Sequence, residues 1–309
     1  MTTAFFTLLL LMIASYGVLA SFEVGIAISM VFPKFSNRSD LSKNIYTPIW
    51  EVTNVLLVVA TVVMAVIFNN GLADVSKIAF VPLFFAGSGL LLRAMTGIYI
   101  FYSQNKIGLF PKLLLLVSSY LVPLSMAVIG IDLFTGKSVW SSSTGIILII
   151  TTAIGIKTIG LAFINRHKLP ISNSIKYSLY VGFGLWAIFL GFLLPHSLMH
   201  FDSSLLRSPL TILVAAIAVS TVGFFLYSAA KNKVYELYQY AILIGFIAPI
   251  LLGFDLRPYL INNTITIQKA YGAAAYQGSM LVGAIITLPF LVLGVYLLVK
   301  LIIEKDAKS

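Results

Sequence analysis

The chain contains no cysteine and only three histidines. Without cysteine there is no disulfide, no thiolate metal site and no cysteine nucleophile, and cysteine usage carries no information on redox compartment. Charge is scarce as well: charged residues make up 10% of the chain and hydrophobic residues 60%, whereas a soluble domain carries about 25% charged residues. So few charges could not cover a surface facing water. Phosphate-binding glycine loops, nucleophile elbows and zincin motifs are also missing. No basic segment precedes the first apolar run, Thr3 to Val31, which reads as a retained span rather than a cleaved signal.

What the chain has instead is a succession of apolar runs, each about 20 residues long and able to cross the hydrocarbon core as a helix. With a mean hydropathy of +1.02, this is an all-α integral membrane protein. Nine spans are predicted, at approximately 3–31, 48–68, 78–102, 111–131, 144–165, 174–194, 208–229, 236–253 and 272–302. Pro48, Pro111, Pro170 and Pro209 stand at or shortly before span starts, where a missing N–H costs nothing. Pro82, Pro123, Pro249 and Pro289 fall inside spans and predict kinks of the kind membrane helices tolerate. The whole of 1–309 forms one membrane domain. By topology it divides into a four-helix unit at 3–131, a second at 144–253, and a peripheral last helix at 272–302.

The net charge of +10 is distributed as a membrane protein distributes it, not as a nucleic-acid surface does. Thirteen of the 20 Lys and Arg residues fall in one set of alternate loops and five in the other. Basic residues concentrate on the cytoplasmic side, so the N-terminus is expected outside and the C-terminus in the cytoplasm. The chain then belongs in the cell (cytoplasmic) membrane as a multi-pass protein.

Four ionisable residues lie within the predicted spans: Glu23, Glu51, Arg93 and Lys157. At 1.5 Å per residue, Glu23 sits roughly 12 Å from the cytoplasmic end of its span, and Glu51 lies within the first turn of the next. Arg93 and Lys157 come to similar depths, so all four occupy the cytoplasmic half. Intramembrane charges mark ion pathways, proton relays or binding sites, or else pair with one another. Arg93 and Lys157 are read as ion-pairing residues. Glu23 and Glu51 are read as functional, because a carboxyl group can shed its charge by protonation and so sit in lipid while still passing protons.

Cofactor ligands are sparse. His167 falls in a loop, and His196 and His200 lie beyond the sixth span, so no axial ligand for a haem stands at a fixed depth. The two histidines of "HSLMH" have helical i, i+4 spacing, but only Asp202 is near as a third ligand, and no metal site is assigned. The chain itself is expected to bind no haem and no metal. Two further functions fit a membrane protein of this kind. A secondary transporter or channel of two four-span units would carry broken helices at mid-membrane, and no matched glycine/proline breaks occur here. A quinone-binding membrane anchor for another oxidoreductase would differ only in its partner.

Several stretches resemble one family in order and spacing: subunit II of the cytochrome bd quinol oxidases. That family ends its first span in D-G-F-D-x-G-x-G, where this chain has "ASFEVGIAIS", with Glu23 at the second acid and Ala20 at the first. The basic loop "FPKFSNRSDLSK" follows. The next span of the family opens P-x-W-D-G-N-x-V-W, and here "PIWEVTNVL" matches at Pro48, Trp50, Glu51 and Val55 and departs at Val52, Thr53 and Leu56. "LLLRAMTGIY" around Arg93, "SYLVPLSMAVIG", and the C-terminal "ITIQKAYGAAAYQGSMLVGAIITLPFLVLGVYLLVK" continue the resemblance. It implies a haem-free subunit II in a heterodimer with a haem-bearing subunit I, with small single-span subunits as possible additions. The complex would take electrons from a membrane quinol and reduce dioxygen to water on haems b and d held by subunit I. A quinone or lipid could fill a structural groove. The resemblance also implies a proton path from the cytoplasm through Glu51, helped by Glu23; Trp50, Arg93 and Lys157 are read separately as supporting or ion-pairing residues.

Overall fold

A computed structural model describes residues 2–32, 39–103, 107–136, 138–139, 143–166, 256–262 and 264–272, with isolated positions between 177 and 253 and at 283 and 293; the side chains of 39–45 lie outside the description. Its elements are α1 (Thr2–Val31), α2 (Ser39–Ile67), α3 (Asn69–Ile78), α4 (Phe80–Tyr102), α5 (Leu109–Thr135), α6 (Ser143–Arg166), β1 (Tyr259–Ile261), β2 (Ile265–Thr266) and a short α7 (Ile267–Ala270). Among the described residues, α1, α2, α4, α5 and α6 are long and apolar enough to cross a membrane. They correspond to the first five predicted spans. The predicted spans at 174–194, 208–229, 236–253 and 272–302, and all three histidines, fall outside the continuously described residues.

α1 is the central helix. It is apolar all round, and it is buried along most of its length between α2, α5 and α6. That is the behaviour of a helix with no polar face to give to solvent. Its approach to α6 is closest where Gly25 faces Gly160, for a Cβ built on either would land on the backbone of the other. Small residues let membrane helices pack backbone to backbone, where dispersion forces act at short range. Phe22 and Phe163 stack beside this crossing, with centroids 4.3 Å apart. α4 packs along α5, and Gly89 gives Val122 room.

Four features differ from the sequence reading. α2 begins at Ser39, so Pro48 lies inside the helix rather than at its start. The stretch between the second and third predicted spans is not a loop but α3, with Gly71 and Val75 buried and Asp74 and Lys77 paired across one turn at 3.9 Å. Ten residues rich in Asn, Asp and Lys are too short and too polar to register as a span. α4 starts two residues before Pro82, so this proline sits in the first turn, where its missing donor leaves no hydrogen bond unmade. α5 runs on to Thr135 and is closed by Gly136 in the left-handed conformation (φ 67°), a common glycine helix stop.

One end of the bundle is sealed by the segment 256–272. β1 and β2 pair antiparallel, Tyr259 with Thr266 and Ile261 with Ile265. The segment is tied to the helix ends through their free carbonyls: Asn262 N–H donates to Leu133 O at 3.0 Å, and Gly272 N–H to Ile67 O at 3.1 Å. Arg257 donates to the Thr7 hydroxyl at 3.1 Å and lies 5.7 Å from the centre of the Phe6 ring. Under this cap a second apolar core gathers Phe5, Phe6, Leu9, Phe68, Val75, Leu260 and Ile267. The N-terminus of α1 and the C-termini of α2 and α5 therefore meet at one end, as alternating spans require.

Candidate functional site: a buried ion pair behind an exposed carboxylate

Four helices converge on one polar cluster inside the bundle. α1 contributes Tyr16 and Glu23, seven residues or two turns apart and so on one face. α2 contributes Tyr46 and Thr53 with the same spacing, together with Asn54. α4 contributes Arg93, and α5 contributes Ser119. Glu23 and Arg93 are both fully buried, at 0% exposure. Arg93 Nη1 donates to Glu23 Oε2 at 2.6 Å, and Nη2 donates to Asn54 Oδ1. The Thr53 hydroxyl donates to the second carboxylate oxygen, Oε1, and also lies 2.9 Å from the Trp50 carbonyl. The Tyr16 hydroxyl stands beside the guanidinium, and the Tyr46 hydroxyl stands beside Ser119.

Each carboxylate oxygen of Glu23 thus has a donor, and both terminal nitrogens of Arg93 have an acceptor. Charge-assisted bonds of this kind are about twice as strong as neutral ones. Desolvating two charges is costly, so such a pair adds little net stability, yet removing one partner alone costs roughly 3–5 kcal/mol because the other is left buried and uncompensated. Glu23 and Arg93 are therefore held together as a unit.

Glu51 is placed differently. It lies two residues before Thr53, which is about 200° around a helix of 3.6 residues per turn. While Thr53 faces Glu23, Glu51 is exposed on the outer surface of α2. Val55, Val58 and Val62 continue that surface at helical spacing, each about half exposed or more. Trp50 is half-buried and packs against the core around α1. The two glutamates, both in the cytoplasmic half on the sequence reading, thus lie on opposite sides of α2, and no hydrogen bond joins them among the described residues. Lys157 is half-buried on α6 and has no carboxylate within ion-pair distance among the described residues.

Asp132 was not anticipated, because the fourth span was expected to end at 131. It is fully buried in the last turn of α5 and accepts the Val139 N–H on Oδ1 at 2.8 Å. The signal was present in the glycine at 136: a helix stopped by a left-handed glycine runs up to the residue before it, and Asp132 falls inside. Among the described residues no group of three His, Asp or Glu side chains could hold a metal ion.

The family model for cytochrome bd terminal oxidase subunit II matches residues 1–302. A chain in the structure titled "The structure of bd oxidase from Geobacillus thermodenitrificans" superposes with a TM-score of 0.74 at 18% identity, over 97% of this chain and 98% of that one. At that identity the likeness is one of fold. No curated protein sequence matches the chain.

Proposed function

The chain belongs to the cytochrome bd terminal oxidase subunit II family, and from that premise we propose that it is the haem-free subunit of a quinol oxidase complex and supplies a proton path from the cytoplasm through Glu51. In this reading its partner is a haem-bearing subunit I, which holds the b and d haems and reduces dioxygen with electrons from a membrane quinol. On the same reading the chain has nine spans, with units at 3–131 and 144–253 and a last helix at 272–302, and the loop bias of Lys and Arg supports an N-terminus outside and a C-terminus in the cytoplasm.

The observation that carries the proposal is the position of Glu51. It is an exposed carboxylate near the start of the apolar stretch of α2, Tyr46–Ile67, at the head of the exposed valine stripe. A carboxyl group so placed can take up and release a proton without moving the helix. Glu23, by contrast, has its charge matched by Arg93. The assembled complex carrying Glu51→Gln should keep its haem absorption bands and lose quinol oxidase turnover by roughly 100-fold, the size of a lost proton-transfer group. Unchanged turnover in a complex with normal spectra would remove Glu51 from the path.

A further inference from the structure

We propose that the Glu23–Arg93 pair, gripped by Thr53 and Asn54, is a positioning device that sets the rotation of α2 about its own axis and hence the direction in which Glu51 is presented. This rests on the reading of Glu51 as the proton-path carboxylate. Three observations support it.

First, apolar packing discriminates poorly between rotations of this helix. The buried side of α2 carries Leu56, Leu57 and Ala60, and the exposed side carries Val55, Val58 and Val62. In water that difference in placement would be enforced by the hydrophobic effect, but lipid tails are as apolar as leucine, so the membrane offers little preference. Directional polar bonds must choose. Second, those bonds come from consecutive residues of α2 and reach two different helices: Thr53 to Glu23 on α1, and Asn54 to Arg93 on α4. A rotation by one residue, about 100°, breaks both at once. Third, Pro48 lies inside α2 and supplies no N–H to the carbonyl of residue 44, so the backbone ladder is interrupted one turn before Glu51. The segment carrying Glu51 is therefore held in register by the turn that follows it, where Thr53 and Asn54 sit. Glu23 then acts through position, from the opposite side of α2, and not as a carrier in line with Glu51.

The test uses the complete complex in native membranes. Glu23→Gln and Arg93→Gln should each lower quinol oxidase turnover, whereas the double variant, which replaces two matched charges with two amides that can still bond each other, should recover most of it. In a Glu51→Gln background, Glu23→Gln should add no further loss, because residues acting through one group are not additive. A double variant as slow as Glu23→Gln alone, in a complex with normal haem spectra, would overturn the proposal and make Glu23 a proton carrier itself. If the charge variants do not assemble, Thr53 decides: Thr53→Ser should retain turnover and Thr53→Val should lose it, and equal turnover in the two would overturn the proposal. This chain has no native cysteine, so with the complex lacking Val55→Cys as the labelling control a readout independent of activity is available. A nitroxide on Val55→Cys should change its spectrum in Thr53→Val and keep it in Thr53→Ser. An unchanged spectrum in both would show that α2 is not held this way, even if Glu51→Gln had confirmed the proton path. A changed spectrum with a silent Glu51→Gln would instead retain the rotational clamp and remove its link to turnover.

Discussion

Glu23 and Arg93 show how context decides the meaning of an intramembrane charge. Alone, either would be a costly intrusion; in the set they form with Thr53 and Asn54, each carboxylate oxygen of Glu23 and each terminal nitrogen of Arg93 is bonded. Replacing Arg93 with Met, which keeps much of the volume but none of the donors, leaves a buried carboxylate unmatched and should destabilise the chain by roughly 3–5 kcal/mol. A fall in the thermal unfolding temperature of the detergent-solubilised complex would report it. Thr53→Val removes a single hydroxyl and should cost only about 1–3 kcal/mol. Asp132 makes a comparable point at the other end of α5. Its carboxylate is the acceptor for the Val139 N–H, so Asp132→Ala should speed hydrogen exchange at Val139 and lower stability by about 1–3 kcal/mol. That residue escaped the sequence reading because hydropathy places the end of a span by apolarity, and an acid looks like a boundary even when the helix carries it inside.

The helices were legible to different degrees. α1 was predicted almost to the residue, because an uninterrupted apolar run has a single way to satisfy its backbone in lipid. α2 was begun nine residues too late, since Pro48 and the polar residues before it suppress the apolar signal that the helix runs through. α3 was missed altogether: its Asn, Asp and Lys side chains stay exposed at the bundle end, while only Gly71 and Val75 are buried. The Gly25–Gly160 crossing was not visible either. The glycines near 155 and 160 could be seen in the sequence, but nothing there says which residue of which helix they meet. That contact gives a sharp prediction. Gly160→Leu must drive α6 away from the α1 backbone and should prevent stable assembly, well beyond the ~1–3 kcal/mol usual for overpacking a core. Gly87, with open space around its Cβ position, should accept Ala with little change. Comparing the yield of intact complex for the two variants checks both statements.

For the molecule as a whole, the arrangement makes sense in an assembly. The described helices bury α1 at the centre while leaving large apolar side chains exposed along α2, α4 and α5, among them Val58, Phe84, Leu91, Met95 and Phe110. In a membrane such surfaces meet lipid or another subunit. A tagged chain extracted from native membranes in mild detergent should therefore bring with it a haem-bearing membrane subunit, visible by the absorption of b and d haems. Recovery of the chain without any haem protein, from membranes that contain oxidase activity, would contradict its place in a terminal oxidase.

Class and span positions for the first part of the chain followed from composition and order alone, because a bilayer imposes one length and one backbone solution on every crossing segment. The resemblance carried by "PIWEVTNVL" and its neighbours identified the family without a fold. Which charges meet was beyond reach of both. Depth is a one-dimensional quantity, and it puts Glu23 and Glu51 alike in the cytoplasmic half; only the packing of α2 on α1, with Asn54 reaching Arg93 of α4, turns Thr53 toward Glu23 and leaves Glu51 facing out. Rotation about a helix axis is set by contacts distant in sequence, and in lipid, where both faces of a helix are apolar, no periodicity along the chain can encode it.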